Sequence, residues 1–515
     1  MSMRSLQLKT TLSVAVALGT GVLLAGAQAQ EPVGETALTI YSTTRPGAVS
    51  ADLYRPVPGQ GIYTGDSVPG YAMIRQVRNI ELERGTNRLN FHDVAAYIDP
   101  TTVSFESLTA PERTRVIEQS FQFDLVSAEK LMERYIDQVI TVDQLAGDRV
   151  TQISGKLLST QGGLVLGADD GTIHSIRSYE NVHFPTLPGG LMTRPTLVWD
   201  VAAERAGSER TRITYQTAGI TWWADYNLVF SEGANANSGF LSVGAWVSIL
   251  NRSGAAYPDA RLKLIAGDVN RVQPNQVMVT ARAMELARGA DAAGFAEQSF
   301  FEFHLYTLGR TTTLPDNSTK QIELFPKVRR VPARKLLVYA GLAPAFGYFP
   351  EPALDRDLGL PMNTKVDVYL EFDNREAAGL GIPLPAGRIR VSQVDAQDDS
   401  LEFIGEDIID HTPKDETVSI TLGSAFDVVG ERRQVDFQVD RNSRRVEETI
   451  EVKVRNHKEE PVEVLIKETL FRWGTNDVLE SSHRYDRVDA RTVHFPVQIA
   501  RDGEAVVRYR VRYTW

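Results

Sequence analysis

Apolar and polar residues alternate one by one along several stretches of the chain. Phe301, Phe303 and Leu305 alternate with Glu302, His304 and Tyr306; Ile450, Val452 and Val454 with Glu451, Lys453 and Arg455; and Val507, Tyr509, Val511, Tyr513 and Trp515 with Arg508, Arg510 and Arg512. A period of two sends neighbouring side chains to opposite faces of a strand, so each run predicts a strand with one buried and one solvated face. One-sided strands need a second layer, and two packed antiparallel sheets supply it. The run from Gly219 to Asp268 is made of short apolar strands broken by Gly, Asn, Ser and Pro, and holds three of the six tryptophans. It reads as the core of a sandwich.

The same text extends on both sides. Leu38 to Leu108 predicts a small antiparallel module, with turns at Arg45-Pro46-Gly47, Pro56 to Gly61 and Arg84 to Asn87. The period then changes: Leu125, Leu131, Ile136 and Val139 with Tyr135 fall near helical spacing after Ser127, which predicts one short helix over about 128–138 with Ser127 as N-cap. Residues 140–185 return to short strands with a hairpin turn at Asp169-Asp170-Gly171, the pattern of a small SH3-like barrel. Pro185 to Pro195 reads as a linker. Met278 to Gln298 is alanine-rich and poor in strand formers, an insertion or a short helix, and Ala343 to Leu360 carries three prolines and three aromatics, as a long loop would. The expected fold is mainly β: multi-domain antiparallel β-sandwiches with a small SH3-like barrel and one short helix. The expected division is a signal peptide over 1–29, an N-terminal β module over 30–126, the helix and small barrel over 127–188, a first sandwich part over 189–342, the loop over 343–360 and a second sandwich over 361–515.

Arg4 and Lys9 precede an apolar run from Leu12 to Gly26 and the small-residue site Ala27-Gln28-Ala29, so export and cleavage after Ala29 are expected, with a periplasmic or extracellular destination that includes outer-membrane association. No later segment reaches the roughly 18 apolar residues of a membrane helix. Cysteine is absent, which removes disulfides, thiolate metal sites and cysteine nucleophiles together. Loss of the leader's two cations takes the formal charge from −11 to −13, mildly acidic and spread along the chain, so nucleic acid is not an expected partner.

The densest polar constellation is Glu406, Asp407, Asp410, His411, Asp415 and Glu416, around Thr412-Pro413-Lys414. Carboxylates beside a histidine are the groups of acid–base catalysis or of hard-cation binding. The bland alternative is a hairpin connection anchored by Ile408 and Ile409, with the acids solvated. Trp222, Trp223, Tyr226, Trp246 and Tyr257 form the aromatic set from which a platform for a sugar ring or peptide is built. Adjacent Trp222 and Trp223 point to opposite strand faces, so at most one belongs to a given core. Ser127-Ala128-Glu129-Lys130 matches S-x-x-K, but its partner motifs S-D-N and K-T-G are missing. Gly65-Asp66-Ser67 lacks the second glycine of a nucleophile elbow. His304, beside Glu302 and Tyr306, is the other local grouping. The eight histidines show no metal-ligand spacing, so neither metal nor cofactor is expected.

Several long phrases carry a resemblance: EQSFQFDLVSAEKLMERYI (118–136), GGLMTRPTLVWDV (189–201), GITWWADYNLVF (219–230), ILNRSGAAYPDARLKLIAGDVNRV (249–272), EFHLYTL with TTTLPDNSTKQIEL (302–324) and GEDIIDHTPKDETVSITLGSAFDV (405–428). In this order they are similar to bacterial proteins of the domain-of-unknown-function family 4139, some of them labelled mucoidy-inhibitor-like, over nearly the whole mature chain. The resemblance implies a β-rich exported protein and brings no catalytic residue, cofactor or substrate. The chain lacks the long coiled coil of the mucoidy-inhibitor-like arrangement. The expected function is non-catalytic binding or scaffolding in the cell envelope, with an envelope protein or glycan as partner. The alternatives are an envelope hydrolase using Glu406, Asp410, His411 and Asp415, and an outer-membrane β-barrel, suggested by the closing VRYRVRYTW.

Overall fold

A computed structural model describes residues 34–42, 49–55, 65–122, 124–146, 149–189, 191–267, 295–300, 303–342, 351–358, 363–395 and 397–515. Strands take up 64% of it and helical turns 4%, which settles the class as mainly β. The expected leader and residues 278–294 of the alanine-rich stretch lie outside the described residues, while Phe295–Phe300 is a strand.

The largest sheet has thirteen strands. Its path runs Leu401–Ile409, Gly387–Val394, Ile220–Glu232, Ser238–Asn251, Ser318–Tyr339, Lys365–Asp373, Thr417–Asp440, Arg445–Asn456, Glu504–Thr514 and Asn476–Ser481, with Val462–Thr469, Asp486–Arg487 and Thr492–Ile499 branching from it. A second, eight-stranded sheet is built largely from Glu35–Tyr41, Tyr71–Leu82, Ile98–Ser107, Gly207–Thr217 and Tyr257–Ala266. Leu38, Ile40 and Ile74 of this sheet share one continuous core with Leu228, Val243, Ile322 and Ile420 of the large one. This core spans the expected boundary at 343 and joins the parts before 126 and after 189, while Tyr135, Ile140, Leu157 and Ile176 of the segment between them pack as a separate cluster.

The reason lies in two very long strands. Ser318–Tyr339 has 22 residues and Thr417–Asp440 has 24, which at about 3.4 Å per residue makes each roughly 70–80 Å long. Each begins in the first core, with Val331 and Ala333 or Val418 and Ile420, and ends in a second one, with Leu337 and Tyr339 or Val428. Pairing is antiparallel apart from three parallel pairs among the named strands: Glu35–Tyr41 with Tyr257–Ala266, Ile220–Glu232 with Gly387–Val394, and Ser318–Tyr339 with Val462–Thr469.

Ser127 caps the expected helix by accepting the Lys130 N–H, but the helix covers only Ala128–Arg134; Tyr135 closes it and Asp137 takes a left-handed φ of 67°. A further short helix, Ala51–Tyr54, was not legible in the sequence. The expected SH3-like barrel is corrected: residues 139–183 form an open five-stranded sheet, in the order Asn181–His183, Val139–Ala146, Arg149–Ser159, Leu164–Gly167 and Ile173–Ile176. Its outer strands, of three and four residues, do not pair with each other, and closure needs strands long enough to stagger around the ring. No sheet closes into a barrel among the described residues. No described helix is long and apolar enough to cross a membrane.

The second core is unusual in its buried charge. Arg432 pairs with Glu468 at 2.9 Å, and Glu468 also accepts the Tyr509 hydroxyl; Arg472 pairs with Glu448 at 2.8 Å, and Glu448 accepts the Tyr513 hydroxyl at 3.0 Å. On the exposed side of the same strands, Glu447 is held between Arg510 and Arg512. The hydrogen bond from Arg510, reinforced by Arg512, keeps its carboxyl below the usual range. A carboxylate stabilised in this way supports the fold above its unfolded pKa, about 4.3, and that support is lost as pH falls through the lower folded value. Glu447→Gln is therefore expected to lose less stability between pH 7 and pH 3 than the parent chain, as read from denaturant midpoints at both pH values.

Candidate functional site

The site is a sheet face, and the alternation read from the sequence positions it. In Ile220–Glu232, Ile220, Trp222, Ala224, Tyr226, Leu228 and Phe230 enter the first core, which turns Trp223, Asp225 and Asn227 outward. In Ser238–Asn251, Val243, Ala245, Val247 and Ile249 point inward, which turns Gly244, Trp246 and Ser248 outward. Register then sets Asp225 opposite Trp246, Trp223 opposite Ser248 and Asn227 opposite Gly244. On the far side of Trp246 stands Glu323, with Gln321 opposite Ser248.

The parallel partner strand completes the face. Gly387–Val394 sets Arg388 beside Asp225 and Arg390 beside Asn227, and the next strand sets Glu406 opposite Arg390 and Ile408 opposite Arg388. Gly387 is needed for this approach, because a Cβ there would lie 2.5 Å from the Ala224 carbonyl oxygen. Five strands at a spacing of about 4.8 Å give a platform roughly 19 Å wide.

Its polar groups are tied together. Asp225 Oδ2 accepts from Trp223 Nε1 at 2.8 Å and from Ser248 Oγ at 2.7 Å, and Ser248 Oγ accepts from Gln321 at 3.0 Å. Asp225 Oδ1 lies 3.6 Å from Arg390, whose Nε lies 3.5 Å from Glu406. The Asp225 carboxylate is buried and held from both sides, which fixes the rotamers of its neighbours. Trp246 stands above this network with 39% of its surface open to solvent. At one end the face is walled by Tyr54, whose ring packs on Trp223 at 5.3 Å over a small cluster of Val49, Leu53, Val68 and Leu250.

The aromatic set thus divides. Trp222 and Trp223 do point to opposite faces, with Trp222 in the core against Tyr306. Tyr226 is buried and donates to the Pro385 carbonyl at 2.7 Å, and burial pushes its phenol well above the ordinary value. Tyr257 is buried beside Ser253. Trp246 is the member that faces solvent.

The acidic constellation does not converge. Glu406 turns to Arg390 on the platform, whereas Asp407 accepts the Thr421 N–H at 2.7 Å and so joins two strands. His411 Nδ1 accepts the Ala386 N–H at 3.0 Å, the Asp410 carbonyl accepts the Thr412 hydroxyl, and Asp415 takes a left-handed φ of 68° with its N–H on the Asn374 carbonyl. These are the contacts of a connection, and no group of three His, Cys, Asp or Glu side chains able to hold a metal ion occurs among the described residues. His304 meets Glu297 at 2.7 Å across a hairpin, while Glu302 lies outside the described residues.

Sequence reasoning missed Asp225, Arg390 and Gln321. A charged residue on the outward parity of a Trp-rich strand was the available signal, but Arg390 lies 165 residues from Asp225, and Gln321 reaches the network through Ser248, 73 residues before it. No known protein family, curated protein or solved structure matches this chain.

Proposed function

We propose that the protein is a non-catalytic binding protein of the cell envelope, akin to the family it resembles, and that the platform around Trp246 takes an envelope glycan. The observation that carries this reading is one exposed indole set on a sheet face among hydrogen-bonding groups that are already oriented. The C–H face of a sugar ring is apolar and stacks on an indole, while its hydroxyls both donate and accept. Asn227, Arg388, Arg390, Glu323 and Gln321 offer both kinds of partner within one or two strands of Trp246. Gly244, next on the same face, adds no side chain that would lift a ligand from the sheet.

Co-sedimentation of the purified chain with insoluble peptidoglycan and its retention on immobilised envelope polysaccharides test the reading. Trp246→Ala is expected to weaken retention by at least about tenfold, as removal of a central aromatic anchor does. Retention equal to that of the parent chain would remove the platform from consideration.

A further inference from the structure

The large sheet curls until its first strand, Leu401–Ile409, faces the 417–424 portion of Thr417–Asp440. The two edges form no ladder. The Thr421 N–H donates instead to the Asp407 carboxylate, and Gly405 packs so closely on Leu422 that a Cβ would lie 2.8 Å from the Leu422 carbonyl oxygen. Past this contact the seam gapes. A cavity of about 200 Å³ opens there, walled by Phe230, Val368, Leu370, Ile404 and Leu422, with Lys335 reaching in.

Its place in the fold explains the lysine. Lys335 follows Val331 and Ala333 of the first core and precedes Leu337 and Tyr339 of the second on one strand face, so it lies where the two cores meet. Burial, with Lys458 adding to it, lowers its pKa, while Glu232 and Glu460 act on it only through space. The other polar side chains of the cavity are engaged: Ser424 donates to Asp367 at 3.1 Å and Gln393 to Glu232 at 3.4 Å. On the same two strands Leu401, Phe403 and Phe426 are 59%, 61% and 95% exposed.

We propose that this cavity binds an amphiphilic carboxylate, a short acyl acid whose chain fills the space between the two cores and whose carboxylate pairs with Lys335. The size agrees: a cavity of about 150 Å³ holds benzene, so about 200 Å³ suits a chain of six to eight carbons. A half-buried ammonium gains more from a carboxylate than an exposed one does, because water screens the pair less. This site is separate from the Trp246 platform and stands or falls without it.

The test is calorimetric titration of the full chain with octanoate, and with octan-1-ol as the uncharged probe of the same length. The parent chain is expected to bind both, octanoate more tightly. Lys335→Met, which keeps the stem and removes the charge, should weaken octanoate by about tenfold or more and leave octanol unchanged. Leu422→Trp, which fills the cavity, should abolish both; Trp246→Ala should alter neither. Absence of octanoate binding to the parent chain, or octanoate affinity undiminished in Lys335→Met or in a folded Leu422→Trp, overturns the proposal.

Discussion

Arg472→Leu is expected to destabilise the protein by about 3–5 kcal/mol, the range seen when one member of a buried ion pair is removed. The side chain is 1% exposed. Its Nε meets Glu448 at 2.8 Å, and its other nitrogens donate to the carbonyl oxygens of Ala353 at 3.0 Å, Asp355 at 2.6 Å and Leu358 at 3.2 Å, while the guanidinium lies over Phe437 at 4.4 Å. One guanidinium thus neutralises a buried carboxylate and ties the 351–358 segment to the second core. The leucine variant leaves Glu448 with neutral donors only, Gln434 and Tyr513. It also strands the carbonyls. Lysine should rescue little, since it has neither the planar fork nor the reach to several acceptors at once. The denaturant midpoint measures the loss, and faster exchange of the Ala353 amide, which donates to the Arg472 carbonyl at 3.0 Å, localises it. Adding Glu448→Gln to Arg472→Leu should recover part of the stability, because the stranded charge goes with it.

Trp222→Ala is expected to cost about 3–5 kcal/mol, as truncation of a large buried aromatic does, while Trp246→Ala should change stability by no more than about 0.5 kcal/mol, as at most surface sites. The contrast follows from strand parity. Trp222 is in the first core, against Tyr306, where its removal leaves a void between two sheets; Trp246 stands on the outer face, on the fourth strand from the sheet's edge. Unfolding curves of the two variants check this directly, and the stability of the second makes its binding defect interpretable.

How far such differences could be read from sequence depends on the distance over which each one is set. Alternation is local, so the buried rows of 445–456 and 504–514 and the opposed directions of Trp222 and Trp223 were legible. Which tryptophan meets solvent was not, because Tyr54 covers Trp223 from a helix about 170 residues earlier in the chain. The 22-residue strand was not legible either: it carries Pro326 and Pro332, and Pro326 falls where its register with Ser238–Asn251 shifts, between Phe325 and Val328, an irregularity at which proline is tolerated. His411 and its acids were conspicuous by spacing alone. Their side chains and backbone turn to separate partners across the connection, which no linear spacing encodes. Arg472 and Glu448, 24 residues apart, had no local mark of burial.

The most direct test of the platform is the indole N–H resonance of Trp246 during titration with soluble fragments of envelope glycan. Its signal is assigned by its loss in Trp246→Phe. Glycan seated on the platform gives a saturable shift of that resonance, with the Trp222 indole unmoved. Saturable glycan binding that leaves the Trp246 resonance in place, or no binding of any fragment, would contradict glycan binding at the platform.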